Sequence, residues 1–241
     1  KRHNKTINDE LSFKEIKDFI YKSQYLRSVK TIVLSGGEPF LRSDLVDICS
    51  LIGEVLPEST IGILTNAINT ETVVSKTKTI LATSKINSFW IGSSLDGIGP
   101  MYDKIRGTKG GFKRFVKTVE RFKQELPEIS FSTTFVLTPF NVEELLPCWE
   151  FADNYDLDFF AQFGVVKEAR SPEVFKWQEK DFCRIKEFTN KIIERIIAKN
   201  TDLETFQNSL AAVSDKINIL TKMYRGYKIL NWDICPEDWK N

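Results

Sequence analysis

The 241-residue chain has one histidine, His3, and four scattered cysteines, Cys49, Cys148, Cys183 and Cys235. His3 stands near the N-terminus with no positioned partner, which removes nucleophilic mechanisms built on a Ser–His or Cys–His pair. No two cysteines sit at a metal-ligand spacing, and nothing suggests a secreted disulfide framework, so reduced thiols are expected. Charge of one sign is also missing. The 34 basic and 33 acidic residues are interspersed and leave a net charge of +1, which excludes a nucleic-acid-binding patch or a charged tail. Apolar runs such as Ile32–Leu34 and Phe159–Ala161 are far too short to span a membrane. The chain opens Lys1-Arg2-His3-Asn4 with neither an initiator Met nor a signal region, so a trimmed fragment of a cytoplasmic protein is expected.

The 41% of hydrophobic residues supports a sizeable core. Its pattern alternates strand and helix. Short β-branched runs predict strands over Thr31–Ser35, Thr60–Leu64, Phe89–Ser93, Ile129–Leu137 and Leu157–Val166. Helical spacing predicts helices over Leu11–Leu26, Ser43–Val55, Thr70–Ala82, Gly111–Leu126 and Val142–Asn154. Ser12 and Glu15 form a capping box for the first helix, with Leu11, Ile16, Phe19 and Ile20 as its apolar stripe. Such alternation implies an α/β fold with a parallel sheet, whose functional residues gather at the carboxyl ends of the strands. A parallel unit normally opens with a strand; this one opens with a helix, so a first strand is expected upstream. Beyond Val166 two long helices, Glu179–Asn200 and Leu203–Tyr224, and an aromatic tail are expected. Residues 1–168 would form the core, and residues 169–241 a helical extension packed on it.

The sharpest signal is Ser35-Gly36-Gly37-Glu38-Pro39 at a strand end. Paired glycines expose backbone that any side chain would cover, and Glu38 adds a carboxylate beside it. Carbonyl acceptors with one charge suit an ammonium group; a tight turn with a solvated Glu fits the same pentapeptide. The second cluster is Ser94-Leu95-Asp96-Gly97, then Tyr102 to Gly107, then Gly110-Gly111-Phe112. Arg106, in a glycine-flanked loop, could clamp a carboxylate, while Asp96 reads as a turn or cap residue. Thr134 and Gln162 could face the mouth of the sheet and touch substrate, or be inward polar filler. Cys49 lies in a helical apolar run and reads as core.

Together, in this order, these motifs resemble the radical S-adenosylmethionine (SAM) superfamily, in the branch of molybdenum-cofactor and peptide- or sulfatase-maturing enzymes. The resemblance covers roughly Thr31 to Val166. It implies a partial (β/α)6 TIM-like barrel, lacking its first strand here. It also implies a SAM site in which Gly36, Gly37, Glu38 and Pro39 meet the methionine ammonium. Asn66 and Ser94 would contact ribose or methionine, Arg106 the methionine carboxylate, and backbone around Val165 the adenine. The family's Thr-Asn-Gly is here Thr65-Asn66-Ala67, a departure at Asn66. The implied activity is reductive cleavage of SAM to a 5′-deoxyadenosyl radical that abstracts hydrogen from a peptide or small molecule. A reductant such as flavodoxin or ferredoxin would supply the electron. The family's 4Fe–4S cluster is held by a three-cysteine loop, which no residues match; those cysteines are expected upstream of Lys1. Cys235, crowded by Trp232 and Trp239, could open an auxiliary-cluster segment or simply cap the barrel edge. Two rival readings remain: a cluster-less barrel that binds a nucleotide-like ligand or a protein, and a phosphate-binding lyase or aldolase. Glu38 would repel phosphate, which counts against the latter.

Overall fold

The computed structural model describes residues 10–163 and 177–199. Five strands, β1 (Thr31–Leu34), β2 (Thr60–Leu64), β3 (Ser88–Ser94), β4 (Ser130–Leu137) and β5 (Asp158–Phe163), lie side by side in chain order, every pair parallel. Parallel neighbours require crossovers. These are α2 (Leu45–Val55), α3 (Thr70–Thr83), the pair α4 (Pro100–Arg106) and α5 (Gly111–Glu125), and α6 (Leu145–Asn154). α1 (Phe13–Lys22) precedes the sheet and α7 (Glu179–Lys199) follows it. Consecutive parallel order with helical crossovers is the arrangement of a partial (β/α) barrel.

The register gives the sheet two unlike faces. Ile61, Ile63, Phe89, Ile91, Phe131 and Phe135 alternate onto one face and are buried. Phe115 and Phe122 of α5 meet Phe131 edge-on there, at 6.3 and 5.3 Å between ring centres. Burying each such side chain contributes about 1.5–3 kcal/mol, which makes this the stabilising layer. The other face carries Val33, Gly62 and Trp90 in one row, Leu64, Gly92 and Ser132 in the next, and Ser94, Thr134 and Phe160 above them. It stays open: Val33, Leu64 and Phe160 are 44%, 38% and 59% exposed. The Trp90 indole lies across β2, where a Cβ on Gly62 would come within 2.2 Å of the ring. Only glycine admits that close approach.

The capping box forms as expected, Ser12 Oγ accepting from the Glu15 amide and Glu15 from the Ser12 amide. The expected helix Leu11–Leu26 is shorter, however: α1 ends at Lys22 and a 3-10 turn covers Gln24–Ser28. Of its stripe Ile20 is buried, whereas Leu11 and Phe19 are exposed. Val142–Glu144 is likewise a 3-10 turn before α6. The segment expected to be a glycine-flanked loop holds α4, which places Arg106 at a helix end. Cys49 is buried as expected, and burial pushes its thiol up to about 12, so it is inert filler.

Residues through Leu137, with those from Pro147 through β5, form one compact unit; Thr138–Leu146 and α7 belong to a second. In the second, Arg184 of α7 donates to both carboxylate oxygens of Glu143 at 2.9 Å. No helix among the described residues is long and apolar enough to cross a membrane. The expected helix over 203–224, the tail around Cys235 and the strand end at residues 164–166 lie outside the described residues.

Candidate functional site

The residues singled out after β1, β2 and β3 are joined by one line of polar contacts across the carboxyl ends of the strands. Gly36 has φ of +147°, a left-handed value that favours glycine, and a Cβ at Gly36 or Gly37 would meet nothing within 4 Å. The backbone there is therefore bare and accessible. Glu38 follows and turns back toward β2. Its Oε1 accepts from the Thr65 hydroxyl at 2.7 Å and the Phe40 amide at 3.3 Å, and its Oε2 from the Asn66 amide at 2.7 Å. Lys76 of α3 fastens the next turn by donating to the carbonyls of Phe40 and Arg42 at 2.9 and 2.6 Å.

At the end of β2, Thr65 Oγ1 also accepts from the Ala67 amide, and Asn66 Oδ1 accepts from the Ile68 amide at 2.9 Å. The Asn66 side chain thus closes an Asx turn, with the residue itself exposed. Ala67, where the resembled family has Gly, sits at φ of +53° and is fully buried. The departure from Thr-Asn-Gly therefore keeps the turn and places the strain on Ala67.

The line continues through α4. The Tyr102 hydroxyl donates to the Asn66 carbonyl at 3.4 Å, and the Arg106 guanidinium stands 5.8 Å from the centre of the Tyr102 ring. Burial pushes the Tyr102 phenol up to about 12, so it remains a neutral donor. Arg106 Nη2 donates to Asp96 Oδ2 at 2.8 Å, and Asp96 Oδ1 accepts from the Val136 amide of β4 at 2.8 Å. Burial raises the Asp96 carboxyl above its ordinary range, while the Val136 amide and Arg106 hold it down. Arg106 is therefore not a free clamp. Its Nε is nonetheless buried with no hydrogen-bond partner, and about a quarter of its side chain (27%) is exposed.

Ser94 and Thr134 are register partners on the open face, with Phe160 beside them and Gln162 one step along, opposite Val136. Val165 lies outside the described residues. Thr65, Tyr102 and the amide of Val136 were not anticipated as parts of this line. Thr65 and Tyr102 adjoin motif residues, but only the fold reveals their partners.

The amino end of α5 is not an anion site. Asp103 occupies its amides, accepting from Gly110 at 2.5 Å and Phe112 at 2.8 Å. A phosphate would meet a carboxylate there.

The arrangement fits an amino-acid headgroup. Bare backbone with Glu38 nearby can accept from an ammonium, and Arg106, with an orphaned buried donor, can take a carboxylate. It does not fit an iron–sulfur cluster: among the described residues no group of three or more His, Cys, Asp or Glu could hold a metal ion.

The sequence model of the Radical SAM superfamily matches residues 2–152. A pre-heme d1 synthase from Dinoroseobacter shibae is 27% identical over 172 residues, which cover 70% of this chain and 39% of that protein. Among solved structures, Streptococcus suis SuiB aligns with a TM-score of 0.50 at 19% identity, over 68% of this chain and 36% of SuiB. Native anSMEcpe with bound AdoMet and Kp18Cys peptide aligns with a TM-score of 0.54 at 16% identity, over 77% of this chain and 51% of that one. At such identities the two structures share a fold with this chain. The chain spans about two fifths of the length of the curated relative it matches.

Proposed function

Because the chain belongs to the radical SAM superfamily, we propose that it forms the SAM-binding core of an enzyme that abstracts hydrogen from a peptide substrate. The observation that carries this reading is the polar line from Glu38 to Val136, which passes through Arg106, a partly exposed arginine held on one side by Asp96. Gly36, Gly37 and Pro39 supply backbone and Glu38 a carboxylate for the SAM ammonium; Arg106 meets its carboxylate. Asn66 and Ser94 border the ribose or methionine portion, and backbone around Val165 the adenine. Residues 1–168 are the core in this reading, and 169–241 a helical extension.

Held by Gly36, Gly37, Glu38 and Arg106, SAM would supply, on one-electron reduction by a flavodoxin- or ferredoxin-type donor, the 5′-deoxyadenosyl chemistry that removes a hydrogen atom from substrate. The described side chains hold and orient; they do not hold iron.

The open face supports the peptide assignment. Asp158, at the start of β5, is the one charged residue that the described strands place on it; Val33, Leu64, Trp90, Ser94, Ser132, Thr134, Val136, Phe160 and Gln162 are uncharged. Hydroxyls and one amide amid apolar surface suit a neutral residue and its flanking peptide groups. Thr134 and Gln162 are the assigned substrate contacts. The name of the pre-heme d1 synthase relative favours a second reading, a small-molecule substrate.

The test is anaerobic reconstitution of the full-length protein with iron and sulfide, dithionite reduction and addition of SAM, with 5′-deoxyadenosine read by chromatography. The expected outcome is its formation, strongly reduced in Glu38→Ala and Arg106→Ala. A preparation that shows cluster absorbance but yields no 5′-deoxyadenosine would overturn the reading.

A further inference from the structure

We propose that Asp96 is a positioning residue that aims Arg106 at the carboxylate of bound SAM; this rests on the SAM reading of the site. Asp96 leaves β3 with a side chain only 12% exposed, and its two oxygens serve two different elements. One is fixed to the Val136 amide of β4, a rigid strand position, and the other holds Arg106 Nη2 at the end of α4. The strand thereby sets where the guanidinium stands.

An arginine at the end of a short helix would otherwise sample many rotamers. Here Asp96 restrains one nitrogen and the Tyr102 ring lies under the guanidinium at 5.8 Å. Five donors leave the guanidinium with capacity beyond Asp96, and Nε has no partner. Nε itself is buried, so a second carboxylate would approach the exposed part of the fork and meet the Nη donors that Asp96 leaves free. The buried position of Asp96 is a poor place for an isolated carboxylate, which a purely structural turn residue would not need. The turn itself could be closed by any acceptor for the Val136 amide.

Asp96→Asn separates the two roles. The amide oxygen still accepts from Val136, but the amide nitrogen turns a donor toward Arg106 Nη2 and releases the guanidinium. The ligand supplies a second comparison: decarboxylated SAM keeps the adenosine, sulfonium and ammonium and lacks only the group Arg106 would hold. Dissociation constants for both ligands would be measured by calorimetry on the anaerobically reconstituted full-length protein. Asp96→Asn should weaken SAM about tenfold or more while moving decarboxylated SAM less than about twofold, the size expected for loss of one charge-assisted hydrogen bond. In an Arg106→Ala background the same substitution should add nothing. The KM for SAM in 5′-deoxyadenosine formation should rise with kcat at saturation unchanged.

Equal weakening of both ligands, or no weakening of either, overturns the proposal and leaves Asp96 a turn residue. If Asp96→Asn fails to fold, Arg106→Lys tests the same idea without touching the Val136 contact. An ammonium paired with Asp96 has no second edge to offer, so SAM alone should weaken; undiminished SAM binding overturns the proposal. A wild-type protein that binds neither ligand fails at the SAM reading itself, a result distinct from all of these.

Discussion

Ala67 is where local strain and burial meet. At φ of +53° a residue with a Cβ costs roughly 1–2 kcal/mol, which glycine would avoid. The methyl is fully buried, however, worth about 0.8 kcal/mol, and glycine adds about 0.5–1 kcal/mol of chain entropy to lose. These terms nearly cancel, so Ala67→Gly should shift stability by less than about 1 kcal/mol. Ala67→Val adds β-branching at positive φ and overfills a closed space, and should cost about 2 kcal/mol or more. Midpoints of urea unfolding check both; a strongly stabilising glycine would show that the methyl contributes nothing. Glu38 shows what a motif leaves unsaid. Its neighbours Gly36, Gly37 and Pro39 mark an exposed backbone from sequence alone. That its carboxylate also fastens Thr65 and Asn66, residues distant in the chain, follows only from the parallel pairing of β1 with β2.

At the scale of elements, strands with strong β-branched runs and helices with long apolar stripes were legible in sequence. All five strands and the helices over 45–55, 70–83 and 111–125 lie within a few residues of expectation. α4 was not legible. Its seven residues bury only Tyr102, too few to draw an apolar stripe, and glycines at both ends look like loop. α1 misled in the opposite way, since its stripe includes Leu11 and Phe19, which the structure leaves exposed. The open face depends on a pairing of elements that alternation could not reveal, the Trp90 indole resting on glycine in β2. Gly62→Ala would drive a methyl into that ring and should cost about 1–3 kcal/mol. Trp90→Leu in the same chain should return about 0.5–3 kcal/mol of that cost as coupling, read from a double-mutant cycle. Strict additivity would mean that the ring moves away freely.

At the scale of the whole molecule the titrating groups divide by sign. The Arg121 guanidinium first, then Lys78, holds Glu125 down to about 2 from its ordinary 4.5. Glu71 is lowered by Arg121, Glu187 by Lys191 and then Arg184, Asp103 by the Phe112 amide and Glu15 by Ser12. A carboxylate whose folded pKa is depressed contributes stability that is full above its unfolded value. That contribution is lost as pH falls through the folded one. For Glu125 the loss runs from about 4.5 down to about 2. Asp96 has the opposite sign: burial raises it, so protonation relieves the folded state in a window above its ordinary 3.8. The chain's one histidine gives little else to titrate between these groups and neutral pH. Tm should therefore be nearly flat from about pH 5 to 8 and fall steeply below about 4, as the depressed carboxylates outnumber Asp96. The ion pairs of Glu125, Glu71 and Glu187 are partly to well exposed, so salt near 0.5 M should blunt their share of the acid fall by screening them, within a Debye length of about 4 Å. Asp96→Asn should remove the opposing contribution, so that the variant loses the slight gain of stability on entering the window above 3.8 while keeping the steep fall below it. A variant whose acid profile matched the wild type throughout would show that Asp96 titrates in the folded state as it does in the unfolded chain.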